Sequence, residues 1–184
     1  PVNAASYIPM GLPNSGVAKG AIFIVKGSGL CSTGFKKVDS YPVPTVLEGT
    51  SARVSVGGQS LDVFMVYKYG GVKDADGASF DQLAMLLPST TPAGNGTLTV
   101  SFGGHQVSTP ITVLASGPGL FSLSQSGRGP GVITDNEKWI ANTVTNAFNE
   151  RMWVNLWLTG LGPLPAGQRD DVTPPVGNLN VNFE

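Results

Sequence analysis

Two glycine pairs, Gly57-Gly58 and Gly103-Gly104, each stand between stretches in which apolar and polar residues alternate. Arg53-Val54-Ser55-Val56 leads into the first pair and Gln59-Ser60-Leu61-Asp62-Val63-Phe64 leaves it. Thr97-Leu98-Thr99-Val100-Ser101-Phe102 and His105-Gln106-Val107 flank the second. A period of two sends successive side chains to opposite faces of a sheet. A two-residue link between such runs needs positive φ at both central positions, which glycine adopts without steric cost. Both segments are therefore expected to be antiparallel hairpins, and they commit the chain to β-structure.

Further strands are expected at 21–25, 109–114, 152–158 and 179–183. The first is apolar at every position and reads as a central strand. The last alternates strictly, with Leu179, Val181 and Phe183 on one face and Asn178, Asn180 and Asn182 on the other. One stretch is ambiguous. Thr134-x-x-Glu137 has the form of a helix capping box, and Trp139 or Ile140, Val144 and Phe148 recur at helical spacing, but the β-branched run Thr143-Val144-Thr145 opposes a helix. Short strands separated by frequent turns, with 25 glycines and 14 prolines in 184 residues, are the pattern of an all-β sandwich. The Gly/Pro linker at 115–119 divides the chain into two expected β-sandwich lobes, 1–115 and 116–184.

Charge excludes whole classes of function. Lys and Arg number 11 against 12 Asp and Glu, the net charge is −1, and 12% of residues are charged, where about 25% is usual. A nucleic-acid surface needs clustered cations, and the densest cluster here is Lys36-Lys37. The longest apolar run, Ala21-Ile22-Phe23-Ile24-Val25, is far too short for a membrane-spanning helix. Pro1-Val2-Asn3 carries no charged-then-apolar leader, as expected of a mature secreted chain or of one made without a signal.

Candidate chemistry is sparse, and no enzyme is expected. With one His and one Cys, a Cys/His zinc site and an internal disulfide are both excluded. Asp74, Asp76 and Asp81 could gather oxygens around Ca²⁺, although the closing Glu of a calcium loop is lacking and an ordinary polar turn is the plainer reading. His105 follows the second glycine pair and is expected at a hairpin tip, with no neighbouring carboxylate to orient it as a base. Cys31 lies near two lysines and is expected to be a structural thiol. Trp153 and Trp157 would share a strand face with Asn155 between them, and with Trp139 they form either core or a ligand face suited to a polysaccharide.

Several strings taken in order resemble a known family. Asn3-Ala4-Ala5-Ser6-Tyr7, the stretch Gly16-Val17-Ala18-Lys19-Gly20-Ala21-Ile22-Phe23-Ile24-Val25, the paired strands after Gly49, Ser116-Gly117-Pro118-Gly119-Leu120-Phe121 and Thr159-Gly160-Leu161-Gly162-Pro163-Leu164 resemble the Solibacter-type C-terminal family of large secreted acidobacterial proteins. The second string is also similar to the first strands of immunoglobulin-like IPT/TIG domains. The resemblance implies a secreted, non-catalytic, immunoglobulin-like module and no known ligand. The chain departs from the family at residues 69–79, an insertion expected to be a surface loop. It departs again after Phe183, where family members continue into strands that close the second lobe. An incomplete second lobe is expected to be finished by a neighbouring molecule, giving a homo-oligomer or filament at the cell surface. The donor would be either the Asn3, Ala5, Tyr7 segment or the Leu179, Val181, Phe183 segment. The alternative expectation is a carbohydrate-binding or accessory module using Trp139, Trp153 and Trp157.

Overall fold

The computed structural model describes residues 1–149 and 151–172. Among them the chain forms fourteen β-strands and no helix. The first ten are β1 (Val2–Asn3), β2 (Val17–Ala18), β3 (Ile22–Gly27), β4 (Gly34–Lys37), β5 (Val46–Leu47), β6 (Thr50–Val56), β7 (Gln59–Lys73), β8 (Ser79–Leu86), β9 (Gly94–Phe102) and β10 (His105–Leu114). The remaining four are β11 (Gly119–Leu120), β12 (Ile133–Asp135), β13 (Val154–Leu156) and β14 (Leu158–Thr159).

The first ten strands pair along the path β1-β3-β8-β7-β6-β9-β10-β2, with β4 on β7 and β5 on β6. The path closes into a two-layer sandwich because β7 changes partners midway. Residues 59–63 pair with β6, and from Phe64 onward the strand pairs with β8. Between the layers, Phe23 and Val25 of β3, Leu83 and Met85 of β8, and Met65 of β7 meet Val54 of β6, Leu98 of β9 and Val113 of β10 in one buried cluster. Each fully buried side chain of this size contributes about 1.5–3 kcal/mol. The alternation that marked these strands is therefore the alternation between core and solvent.

Both glycine hairpins form as expected. Val56 pairs with Gln59 around Gly57 (φ 57°) and Gly58 (φ 77°), and Phe102 with His105 around Gly103 (φ 58°) and Gly104 (φ 81°). The two expected strands 105–107 and 109–114 are one, β10. Pro110 is tolerated inside it because β2 covers the outer side of β10 only at Val113 and Leu114. The insertion at 69–79 is mostly not a loop. Strand β7 runs on to Lys73 and β8 begins at Ser79, so only the tip 74–78 connects them. The extension needs a bulge where the register shifts between Tyr69 and Val72. Gly71 there has a φ of 75°, and a Cβ on Gly70 would strike the Ser32 carbonyl.

The segment after residue 115 covers the outer face of the β3/β8/β7 layer. Ile24 and Ala84 are buried there beside Ala4, with Ile22, Val66, Tyr67 and Phe121 packed around them. This explains why 21–25 is apolar on both faces, since β3 has its partner β1 over two residues only and owes its outer burial to the second lobe. That lobe consists of two small ladders, β11 with β14 and β12 with β13. None of the fully buried hydrophobic side chains among the described residues lies beyond Val113. The second lobe is therefore held chiefly by polar contacts and by half-buried apolar ones.

The N-terminal segment corrects one expectation. Asn3, Ala5 and Tyr7 are not a free donor strand, because the chain uses them itself. Val2 pairs with Ile24 and Asn3 with Phe23, Asn3 and Ala5 are buried, and Tyr7 packs beneath the second lobe with a φ of 51°. The Asn3 carboxamide oxygen accepts from the Ala5 and Ser6 amides (2.9 and 3.1 Å), and its nitrogen donates to the Gly117 carbonyl (3.2 Å), joining the two lobes. Leu179, Val181 and Phe183 lie outside the described residues.

Candidate functional site

The ambiguous stretch after Thr134 folds as a tight loop, and Asp135 decides it. The Asp135 Oδ1 atom accepts hydrogen bonds from the amides of Glu137 (3.0 Å), Lys138 and Trp139 (2.9 Å), and Oδ2 accepts from that of Ile140 (3.2 Å). A helix starting at Thr134 would leave these amides to a weaker cap, so the buried carboxylate outcompetes the capping box. The loop carries Trp139 at a φ of 59°, a conformation that costs a bulky residue about 1–3 kcal/mol and persists only where the surroundings enforce it. Asn155 donates to the Asp135 carbonyl (3.2 Å), tying the loop to β13.

These amide donors, that of Lys138 foremost, hold the Asp135 carboxyl below the usual carboxylate range. A lowered folded-state pKa means the ionised form stabilises the fold. That contribution is complete above the unfolded value of about 3.9 and is lost as pH falls through the folded value. Tryptophan emission is therefore expected to be constant from neutral pH down to about 4 and to change on further acidification. Asp135→Ala should show the acid-state emission already at neutral pH. An unchanged spectrum in that variant would contradict the role given to the carboxylate.

The expected single strand 152–158 is broken at Trp157. Strand β13 pairs with β12 and β14 with β11, and Trp157 between them donates its amide to the Val132 carbonyl (3.2 Å) and accepts from the Phe121 amide (2.9 Å). The break separates the expected pair of Trp153 and Trp157. Trp157 instead meets Trp139, with ring centroids 5.3 Å apart and planes at 57°. Its indole N–H donates to the Thr134 hydroxyl (3.0 Å). Trp139 is 60% exposed, Trp157 41% and Trp153 85%.

Behind this pair, between the second lobe and the outer face of the sandwich, lies an apolar cleft. Its larger part, about 760 Å³, is walled by Ile22, Val66 and Leu86 on the sandwich side and by the run 154–165 on the other. A second part of about 520 Å³ shares Ile22, Val66, Phe121 and Trp157 with the first and extends over Ile24 and Ala84. The chain then crosses to the sandwich loops at the rim. There the Asp170 carboxylate accepts from the Ser89 amide (2.9 Å) and hydroxyl (3.0 Å), and the Asp171 carbonyl accepts from the Val43 amide (2.8 Å).

The expected calcium ligands do not converge. Asp74 closes its own turn by accepting from the Asp76 and Ala78 amides (3.1 and 2.8 Å). Asp81 is buried on β8 and accepts from the Leu30 and Gly71 amides (2.8 and 3.0 Å). Among the described residues no three His, Cys, Asp or Glu side chains gather as a metal site. His105 is exposed at its hairpin tip. Cys31 is buried and its thiol is pushed up, first by burial and next by the charge of Asp81. A buried cation went unread in the sequence. Lys68, 2% exposed, donates to the carbonyls of Ser32 (3.0 Å) and Thr33 (3.3 Å) and to the Ser32 hydroxyl (2.8 Å), and pairs with Glu48 at 2.7 Å.

Compared with known proteins, the chain matches no family model, no curated protein and no solved structure.

Proposed function

We propose that this chain is a non-catalytic, extracellular structural module with immunoglobulin-like lobes that assembles with copies of itself, each molecule donating residues 179–183 to the cleft of the next. The observation that carries the reading is the apolar cleft beside a lobe without a fully buried core. Leu120, Leu123, Trp157 and Leu161 are each around two-fifths exposed, although they belong to the lobe's own strands and links. Such surface is costly in water and gains by accepting an apolar strand. The strands β13 and β14 each have a ladder partner on one side only among the described residues, so main-chain pairing is open to a newcomer.

The donor is chosen by pattern and reach. Leu179, Val181 and Phe183 offer three apolar side chains to one face. Val172, the last described residue, lies two positions beyond Asp170 at the cleft rim. Seven residues of fully extended chain span at most roughly 24 Å, which sets the reach from Val172 to Leu179. Donor and acceptor then differ in position on one molecule, so the contact is head-to-tail and runs on into a filament unless its rotation closes a ring. The charged side chains that the structure places inside are spent on the chain's own backbone, as Asp81, Asp135 and Lys68 show, which suits a structural role better than a catalytic one.

Light scattering across a concentration series, with negative-stain microscopy, tests this. Growth of mass with concentration and regular filaments or rings are expected. The triple variant Leu179→Asp, Val181→Asp, Phe183→Asp should remain monomeric with an unchanged β-sheet spectrum. A monomer at every concentration would sink the proposal and would point to the segment serving its own molecule.

A further inference from the structure

We infer that Trp139 presents a saccharide-binding face, which stacks on a pyranose ring of a neutral polysaccharide. This does not rest on strand donation, since it concerns the solvent side of the loop rather than the cleft.

An exposed indole is often incidental, but this one is built outward. Four consecutive amides of its loop are spent on one buried carboxylate, Asp135, and the ring sits on a residue of positive φ. Those four bonds hold the strained conformation in place, so Trp139 is kept where it stands. Behind it, Trp157 is locked by the Thr134 hydroxyl and by its two backbone bonds. With the centroids 5.3 Å apart and the planes at 57°, Trp139 leans against this hydrogen-bonded ring. Trp139 is therefore braced on one side by the tilted Trp157 ring and stays 60% exposed on the rest.

The chemistry of that face selects the ligand class. An indole face carries negative electrostatic potential, and it attracts the weakly positive C–H groups that a pyranose exposes on one side. The hydroxyls at the sugar's edge need hydrogen-bonding neighbours. Asn136, Glu137 and Lys138, all exposed, supply them from the same loop. The opposite charges of Glu137 and Lys138 leave no net charge for an anionic glycan, which favours a neutral one. The preference is for chains whose rings present axial hydrogens, as β-1,4-linked glucans do.

The test is native gel electrophoresis of the whole chain through gels containing hydroxyethylcellulose, arabinoxylan or galactomannan, with cellohexaose titrated against tryptophan emission. Retardation by at least one polymer is expected. Trp139→Ala should weaken it at least tenfold, Trp139→Phe should retain part of it, and Trp153→Ala should leave it unchanged, all with unaltered circular dichroism. If no polymer retards the chain, if Trp139→Ala binds like the parent, or if Trp153→Ala loses as much, the assignment is overturned. A Trp139→Ala variant that loses self-assembly instead of retardation would also overturn it, and would make the ring a protein contact.

Discussion

Removing Glu48, the exposed partner of the buried ion pair, is expected to destabilise the protein more than removing Lys68, the buried one. The Lys68 side chain is 2% exposed and that of Glu48 is 46% exposed, so the two truncations leave different residues behind. Lys68→Met takes the charge out of the interior and keeps most of the packing. It costs the hydrogen bonds to Ser32 and Thr33, about 1–3 kcal/mol in all, while Glu48 is free to be solvated where it stands. Glu48→Ala leaves an ammonium in the core with only neutral acceptors, the situation in which a broken buried pair is most costly. Asp81 forms no ion pair with Lys68, and its two oxygens face the amides of Leu30 and Gly71 instead. Urea unfolding of both variants and of the Glu48→Ala, Lys68→Met double variant measures this. The double variant should recover part of the Glu48→Ala loss. A ranking with Lys68→Met the worse of the two would mean that Lys68 acts mainly through its hydrogen bonds, and the charge argument would fail.

The position of Lys68 also shows where reading the sequence stops. Strict alternation from Val63 and Met65 puts Tyr67 inside and Lys68 out. A register shift between Met65 and Tyr67 inverts the parity, and nothing local announces it. The hairpins were legible because a glycine pair between alternating runs has one low-energy solution. The layer change in β7 was not, since no residue type marks a strand that trades partners without turning. The apolar run 21–25 carried a true signal, since β3 lies between β1 and β8 and is buried on both faces, and what the run could not show is that the outer cover comes from the segment after residue 115. At 134–148 the helical spacing was a coincidence that one carboxylate overrides, and the position of Asp135 next to Thr134 was the clue. Sequence proximity grouped Asp74, Asp76 and Asp81, whereas strand parity turns Asp81 into the core. Three tryptophans were singled out as a face, and the break at Trp157 brings only two of them together.

Gly160→Val is expected to release the second lobe and leave the sandwich folded. Gly160 has a φ of 91°, and a Cβ there would collide with the Gly117 carbonyl and approach the Asn3 side chain at 3.2 Å. A β-branched residue in that conformation, pressed against backbone that cannot give way, costs several kcal/mol, roughly 3 or more. The strain falls where β14 meets the linker and Asn3 joins the lobes, so the docking contacts bear it. The sandwich keeps its own core, from Phe23 to Val113, and the lobe has no fully buried hydrophobic side chain among its described residues to resist undocking. All three tryptophans lie beyond residue 138, so their emission reports this lobe alone, while the far-UV β-sheet signal reports chiefly the sandwich. In urea the parent chain should lose its native emission before its sheet signal, as a weak unit opens below the global transition. In Gly160→Val the emission change should come earlier still, or be complete without denaturant, with the sheet transition barely moved. Coincident transitions in the parent that shift together in the variant would show lobe and sandwich to be one cooperative unit. The apolar contacts around the cleft would then have to be counted as part of a single core.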